Sequence, residues 1–193
     1  MDFIPCLIML FSVEAALWNL PVFELLTRGL TEKQYSREAL IAAGIAFVLM
    51  TLTAVVGQQI LEFLGLTMEG ICIGGGLIIL YMGFLMVLGR GFDDTAEMTL
   101  GNAGCRFAVP FLFGAGVCGI ILAYTAEVGM PQMVAAIVIV SILSFGILRF
   151  GTTILRKIGS AINLLMILAG LYITIIGAQS IMRGVMGFLN AGM

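Results

Sequence analysis

Apolar residues run through this chain in six long blocks with short polar gaps between them: roughly Phe3 to Leu26, Ala39 to Gln59, Gly70 to Gly89, Phe107 to Tyr124, Pro131 to Phe150 and Ile158 to Met182. Each block holds about 20 residues, the length of helix that crosses the hydrocarbon of a bilayer. None alternates polar and apolar positions as a barrel strand does, and a segment in lipid must satisfy its own backbone hydrogen bonds, so the blocks read as transmembrane helices. The predicted fold is therefore all-α: a polytopic membrane protein with six transmembrane helices in one transmembrane domain over residues 1–193. Little is left over for a soluble domain.

The gaps give the orientation. Arg28, Lys33, Arg37, Arg90, Arg106, Arg149, Arg156 and Lys157 fall in alternate gaps, whereas the gaps around Gln58 to Glu69 and Glu127 to Gln132 carry no Lys or Arg. Basic residues collect in cytoplasmic loops, so the expectation is a multi-pass protein of the cytoplasmic membrane with both termini outside. The first block is not expected to be a cleaved signal peptide, because Asp2 stands where a basic region belongs and Glu14 interrupts the apolar run.

Composition narrows the functional classes. Of the 193 residues 61% are hydrophobic and 10% charged, and the mean hydropathy is +1.17, so lipid is the solvent. A formal charge of −2 without a basic cluster argues against nucleic acid as a partner. No phosphate-binding glycine loop is present. The chain has no histidine, and Cys6, Cys72, Cys105 and Cys118 lack metal-ligand spacing. With no paired nucleophile and base either, the chain reads as no enzyme, with no catalytic residues, metal or cofactor. The cysteines read as small packing residues, with a Cys6–Cys72 disulfide as the alternative.

Two registrations at one offset suggest an internal repeat. Gly76-Leu77 followed by Gly83 in the third block matches Gly170-Leu171 followed by Gly177 in the sixth, 94 residues on (76 to 170, 83 to 177). The same offset lays Asn19-Leu20-Pro21 over Phe113-Gly114-Ala115. The reading is a duplicated three-helix unit: repeat 1 over about 1–90, a cytoplasmic connector over about 91–104 with Asp93, Asp94 and Glu97, and repeat 2 over about 105–193. Three is odd, so the second copy enters the membrane from the opposite side, an inverted repeat of the kind found in secondary transporters.

Substrate sites in such folds lie near the midplane where discontinuous helices meet. Helices 1 and 4 are the ones expected to be interrupted. Pro21 has no N–H to give to the carbonyl of Leu17, and Gly114-Ala115-Gly116 lets the chain leave helical geometry or another backbone come close. Packing between small residues is the competing explanation for both.

A few polar residues fall inside the blocks. Glu14 lies near the middle of the first crossing, where a carboxylate costs about 2.5–3.5 kcal/mol to insert; binding a proton, sodium or a substrate amine would account for it, as would an internal cavity with no coupling role. Asn19 beside Pro21 can complete freed backbone groups or hold an amino-acid headgroup. Glu24 reads as a solvated entrance residue. Thr51, Thr53, Ser141 and Ser144 are expected to bond to their own helices. Gly74, Gly75 and Gly76 read as a close helix approach or as backbone exposed to a ligand.

With these residues in view, the chain resembles the MarC family of six-helix membrane proteins, within the wider LysE-like transporter superfamily, over nearly its whole length. The likeness rests on Asn19-Leu20-Pro21-Val22-Phe23, the loop opening Leu26-Thr27-Arg28-Gly29-Leu30-Thr31, Arg37-Glu38-Ala39-Leu40, Gly74-Gly75-Gly76, Ala108-Val109-Pro110 and Gly114-Ala115-Gly116. The family's first helix usually carries Asp-Pro and then a glycine ahead of its Asn-x-Pro element, and its fourth carries Gly-Pro-Gly; Ala15, Ala16, Trp18 and Ala115 stand there in this chain. Each half thus keeps one proline, Pro21 and Pro110, of a two-proline pattern, and Glu14 stands one residue before the family's acid. Trp18 would narrow or reshape the pocket.

The resemblance implies transport of small molecules across the cytoplasmic membrane, with small neutral amino acids such as glycine and alanine suggested for some relatives. Asn19, Leu17, Pro21, Gly114 and Gly116 are the expected substrate site, Glu14 the coupling residue for H+ or Na+, and Gly74, Gly75, Gly76 and Pro110 positions of helix packing or close backbone approach. The competing readings are an ion channel or cation exporter, and a non-transporting membrane scaffold. Glycine-rich faces would also suit a homo-oligomer.

Overall fold

Caps and turns set where the apolar blocks start and stop as helices. The computed structural model describes residues 3–14, 16–27, 29–88, 103–158 and 161–191. The first block forms α1 (Phe3–Glu14) and α2 (Ala16–Leu26). Thr31 then caps α3 (Glu32–Leu64) in a reciprocal capping box with Gln34, and Gly65, at φ 64°, ends it. At 33 residues α3 runs roughly 50 Å, longer than the hydrocarbon is thick, which leaves Glu32, Lys33 and Glu62 beyond it. The Thr67 side chain accepts a bond from the Gly70 N–H at 3.1 Å to open α4 (Met68–Val87). The fourth block is a short α5 (Ala103–Phe107), a π-helical turn (Ala108–Leu112) and α6 (Ala115–Val128). Then come α7 (Met130–Ile158) and α8 (Ala161–Ala191).

Five of these helices or helix pairs are long and apolar enough to cross a membrane as single spans, among them Phe3–Leu26 taken as one. The fourth block supplies a sixth only as a pair bent by 57°. Among the described residues every regular element is helical. Most of the proposed connector, with Asp93, Asp94 and Glu97, lies outside the described residues.

The centre of the bundle is apolar and aromatic. Phe23 on α2 meets Tyr35 on α3 at 5.4 Å and Phe107 on α5 at 4.9 Å between ring centroids, and Leu10, Met50, Leu112, Ile121, Met133 and Ile137 are fully buried in the same apolar core. Leu17, Leu52, Phe84, Ile142 and Leu171 stay exposed, as suits a lipid-facing surface.

The tightest contact is between α4 and α8. A Cβ added to Gly76 would sit 2.9 Å from the Gly177 carbonyl oxygen, and one added to Gly83 would sit 2.8 Å from that of Gly170. Close approach thus explains Gly76, whereas Gly74 has open space around it. At the 94-residue offset the 76–177 contact maps onto 170–83, so exchanging the two halves turns one contact into the other. Other pairings follow the same exchange, with α2 against α7 answered by α6 against α3.

Two expectations need correction. The first span is not interrupted at Pro21: α2 runs through it from Ala16 to Leu26. One missing backbone bond is tolerated inside a membrane helix when neighbouring elements pack around it, and residues 19–24 are all buried. For the same reason Glu24 is buried rather than solvated.

Candidate functional site

The break in the fourth span begins at a proline. Pro110 has no N–H for the carbonyl four residues back and its ring crowds that turn, and the chain widens there into the π-helical turn, where the Phe113 N–H reaches the Ala108 carbonyl at 2.8 Å. Gly114 is then extended, at φ −86° and ψ 172°, and α6 restarts behind it in a new direction. Asn19 supplies a donor: its Nδ2 gives a hydrogen bond to the Phe111 oxygen at 2.9 Å, joining the first span to the broken one.

Glu14 is wholly buried, one helical stretch before Asn19. Ser144 of α7 donates its hydroxyl to Glu14 Oε2 at 2.6 Å. Three buried oxygens nearby in the sequence pattern have no protein hydrogen-bond partner: Glu14 Oε1, Asn19 Oδ1 and, one turn from Ser144 on α7, Ser141 Oγ. Leaving such atoms dry costs about 1–3 kcal/mol each. They are acceptors suited to water, a proton or a small hard cation.

The two elements meet at a cavity of about 30 Å³ lined by Val13, Asn19, Pro110, Phe111, Gly114 and Gly116, with α4 and α8 closing the far side. That is room for about one or two water molecules. A second cavity, of about 280 Å³, shares Gly116 and opens between α1, α4, α6 and α8, with Cys72, Tyr124, Ser180 and Arg183 on its wall.

Of the residues expected at the site, Asn19, Gly114 and Gly116 line the small cavity together with Pro110, whereas Glu14 lines neither cavity and turns its carboxylate to the Ser144 hydroxyl of α7. Leu17 and Pro21 do not line it. The Leu17 side chain is exposed on the outer surface, as is Trp18, whose ring lies 5.1 Å from that of Tyr172; Trp18 does not reshape the pocket. Thr51 and Thr53 do bond to their own helix, at the carbonyls of Phe47 and Leu49. Ser144 departs from that pattern, because α7 turns it toward Glu14.

Sequence reasoning also passed over two residues. Glu38 is buried and its Oε2 accepts the Gly104 N–H at 2.8 Å, tying the start of α3 to the start of α5; its place in the Arg37-Glu38-Ala39-Leu40 motif was the available signal. Arg183 was legible as the one basic residue that stands past the sixth block, away from the basic gaps. The four cysteines are free thiols.

Residues 1–189 match the family described as MarC family integral membrane protein. A UPF0056 membrane protein of Pyrococcus horikoshii is 25% identical over 183 residues, covering 92% of this chain and 91% of its own. One from Methanocaldococcus jannaschii is 26% identical, covering 93% and 94%. The UPF0056 inner membrane protein MarC of Escherichia coli strain UTI89 is 24% identical, covering 95% and 94%. No solved structure matches the chain. Matched along nearly its whole length and built from membrane-spanning helices, the chain belongs to the MarC family of integral membrane proteins.

Proposed function

We propose that the protein is a secondary transporter of small neutral amino acids, of the glycine or alanine type, coupled to a proton or sodium gradient across the cytoplasmic membrane. The observation that carries this reading is the Asn19 bond to the Phe111 carbonyl at the break of the fourth span. A backbone carbonyl and a side-chain amide meeting inside the bilayer, beside a cavity, make a polar site that a purely structural helix contact does not need. The small volume of that cavity suits an occluded state, which must open to admit even a small substrate.

Glu14 is the coupling residue in this reading. Its carboxylate rests on Ser144, and the unpartnered oxygens of Glu14, Asn19 and Ser141 suit a proton or Na+ that enters and leaves with the cycle. The reciprocal glycine contacts of α4 and α8 support an inverted repeat, the architecture in which one half rocks against the other. The charge bias of the gaps supports both termini lying outside.

A thermal-shift screen of the detergent-solubilised protein against amino acids and cations tests the binding half of this proposal. A ligand that binds only the folded state raises the melting temperature. Glycine or alanine is expected to do so, more strongly with the coupling ion present. A response to a cation alone, with none to any amino acid, would instead favour the ion channel or exporter reading.

A further inference from the structure

The larger cavity has a chemistry that the small one lacks. Among its lining residues Arg183 is the one charged side chain, and Met9, Met68, Ile120 and Ala123 make the rest of its wall largely apolar. The Ser180 hydroxyl is turned to the wall, donating to the Cys72 carbonyl at 3.1 Å. Arg183 therefore faces a space of about 280 Å³ with no acid among the residues that line it. Glu69 packs against Gly187, one turn further along α8, outside the lining, although its charge also reaches Cys72. A guanidinium presents a planar fork of donors that matches a carboxylate in a two-bond pairing.

The cavity also leads somewhere. Gly116 lines both spaces, and a Cβ at that position would lie 2.7 Å from Val13 Cγ1. Val13 and the glycine backbone thus form a constriction between the Arg183 cavity and the Asn19 site. The lining of the larger cavity runs from Met68 beside the α3–α4 turn, on the face opposite the basic gaps, to Gly116 beside the break.

We propose that this cavity is a docking vestibule in which Arg183 takes the carboxylate of a small zwitterion, holding it ahead of the Val13–Gly116 constriction. The small cavity offers no cation to a carboxylate among its lining residues, so recognition of the anionic end falls to Arg183 and recognition of the rest to the Asn19 site. The vestibule rests on the transport reading for its biological sense, but its test reads binding and needs no transport.

Cys72 lines the same cavity and serves as the reporter. In a C6A, C105A, C118A background, its labelling rate is measured with a negatively charged sulfonate methanethiosulfonate, a positively charged trimethylammonium analogue and a small neutral one. The anionic reagent is expected to react about tenfold faster than the cationic one, as one unit charge held nearby at intermediate dielectric would produce. R183Q should abolish the anionic reagent's advantage once each charged rate is taken relative to the neutral one, and a melting temperature close to the parent's reports that the variant is folded. Millimolar alanine should slow labelling severalfold, alaninamide should not, and R183Q should lose the protection.

Equal rates for the two charged reagents, or no protection by alanine, would overturn the proposal. Protection by vesicles rich in anionic lipid but not by alanine would assign Arg183 to a lipid phosphate and overturn it equally. If alanine protects Cys72 while liposomes show no uptake, the vestibule stands and the transport reading fails.

Discussion

The α4–α8 seam and the contact between the first span and the broken fourth are both made of glycines in apolar helices, yet the seam joins backbone to backbone and the break joins a side chain to a freed turn. At the seam the glycines bring two unbroken helices backbone to backbone, and Thr174 spends its hydroxyl on the Gly170 carbonyl of its own helix. At the break Gly114 is extended, Gly116 lies against the Val13 side chain at the edge of the small cavity, a carbonyl is handed to a side chain on another span, and Asn19 Oδ1 goes without a protein partner. The seam is a fixed joint. The break leaves a buried acceptor without a protein partner beside a cavity, and sites that move are drawn from such loosely packed regions.

Substitutions can break this contrast. G83L forces a side chain into the Thr174 backbone, 2.6 Å from where its Cβ would lie. Backbone cannot yield as a side-chain tip can, so the cost should exceed the ~1–3 kcal/mol of ordinary overpacking, and little folded protein should survive size-exclusion in detergent. N19A removes the donor from Phe111, for about 1 kcal/mol by the scale of membrane hydrogen bonds; the melting temperature should fall modestly while substrate binding in the thermal-shift screen is lost. S144A should cost a similar amount of stability and weaken the coupling ion's effect more than the substrate's. G74A and L17A, one with open space around it and one lipid-facing, should stay within about 0.5 kcal/mol of the parent and bind normally.

The spans and the break in the fourth helix were legible because they are local facts. Block length fixes the crossings, and Gly114-Ala115-Gly116 points to the break, although it begins upstream at Pro110, which was expected only to pack. The first helix was misjudged because a proline removes one bond but does not by itself end a helix; the buried surroundings of Pro21 decide the outcome, and those are tertiary. Ser144, Trp18 and Glu24 failed for a related reason. Each lies on a helix whose span is easily read, but the direction its side chain faces depends on how α7 and α2 are rotated against their neighbours. A low hydrophobic contrast around most of these helices, with apolar residues on every side, gives the sequence little to fix that rotation.

The central claim is that Glu14 couples an ion gradient to substrate movement at the break. It is tested most directly by measuring uptake of labelled alanine into liposomes under an imposed proton or sodium gradient, with the parent protein and E14Q side by side. The account predicts gradient-driven accumulation by the parent, and by E14Q only gradient-independent equilibration, at a melting temperature close to the parent's. Equal gradient-driven accumulation by E14Q, or none by the parent with any small neutral amino acid, would contradict it.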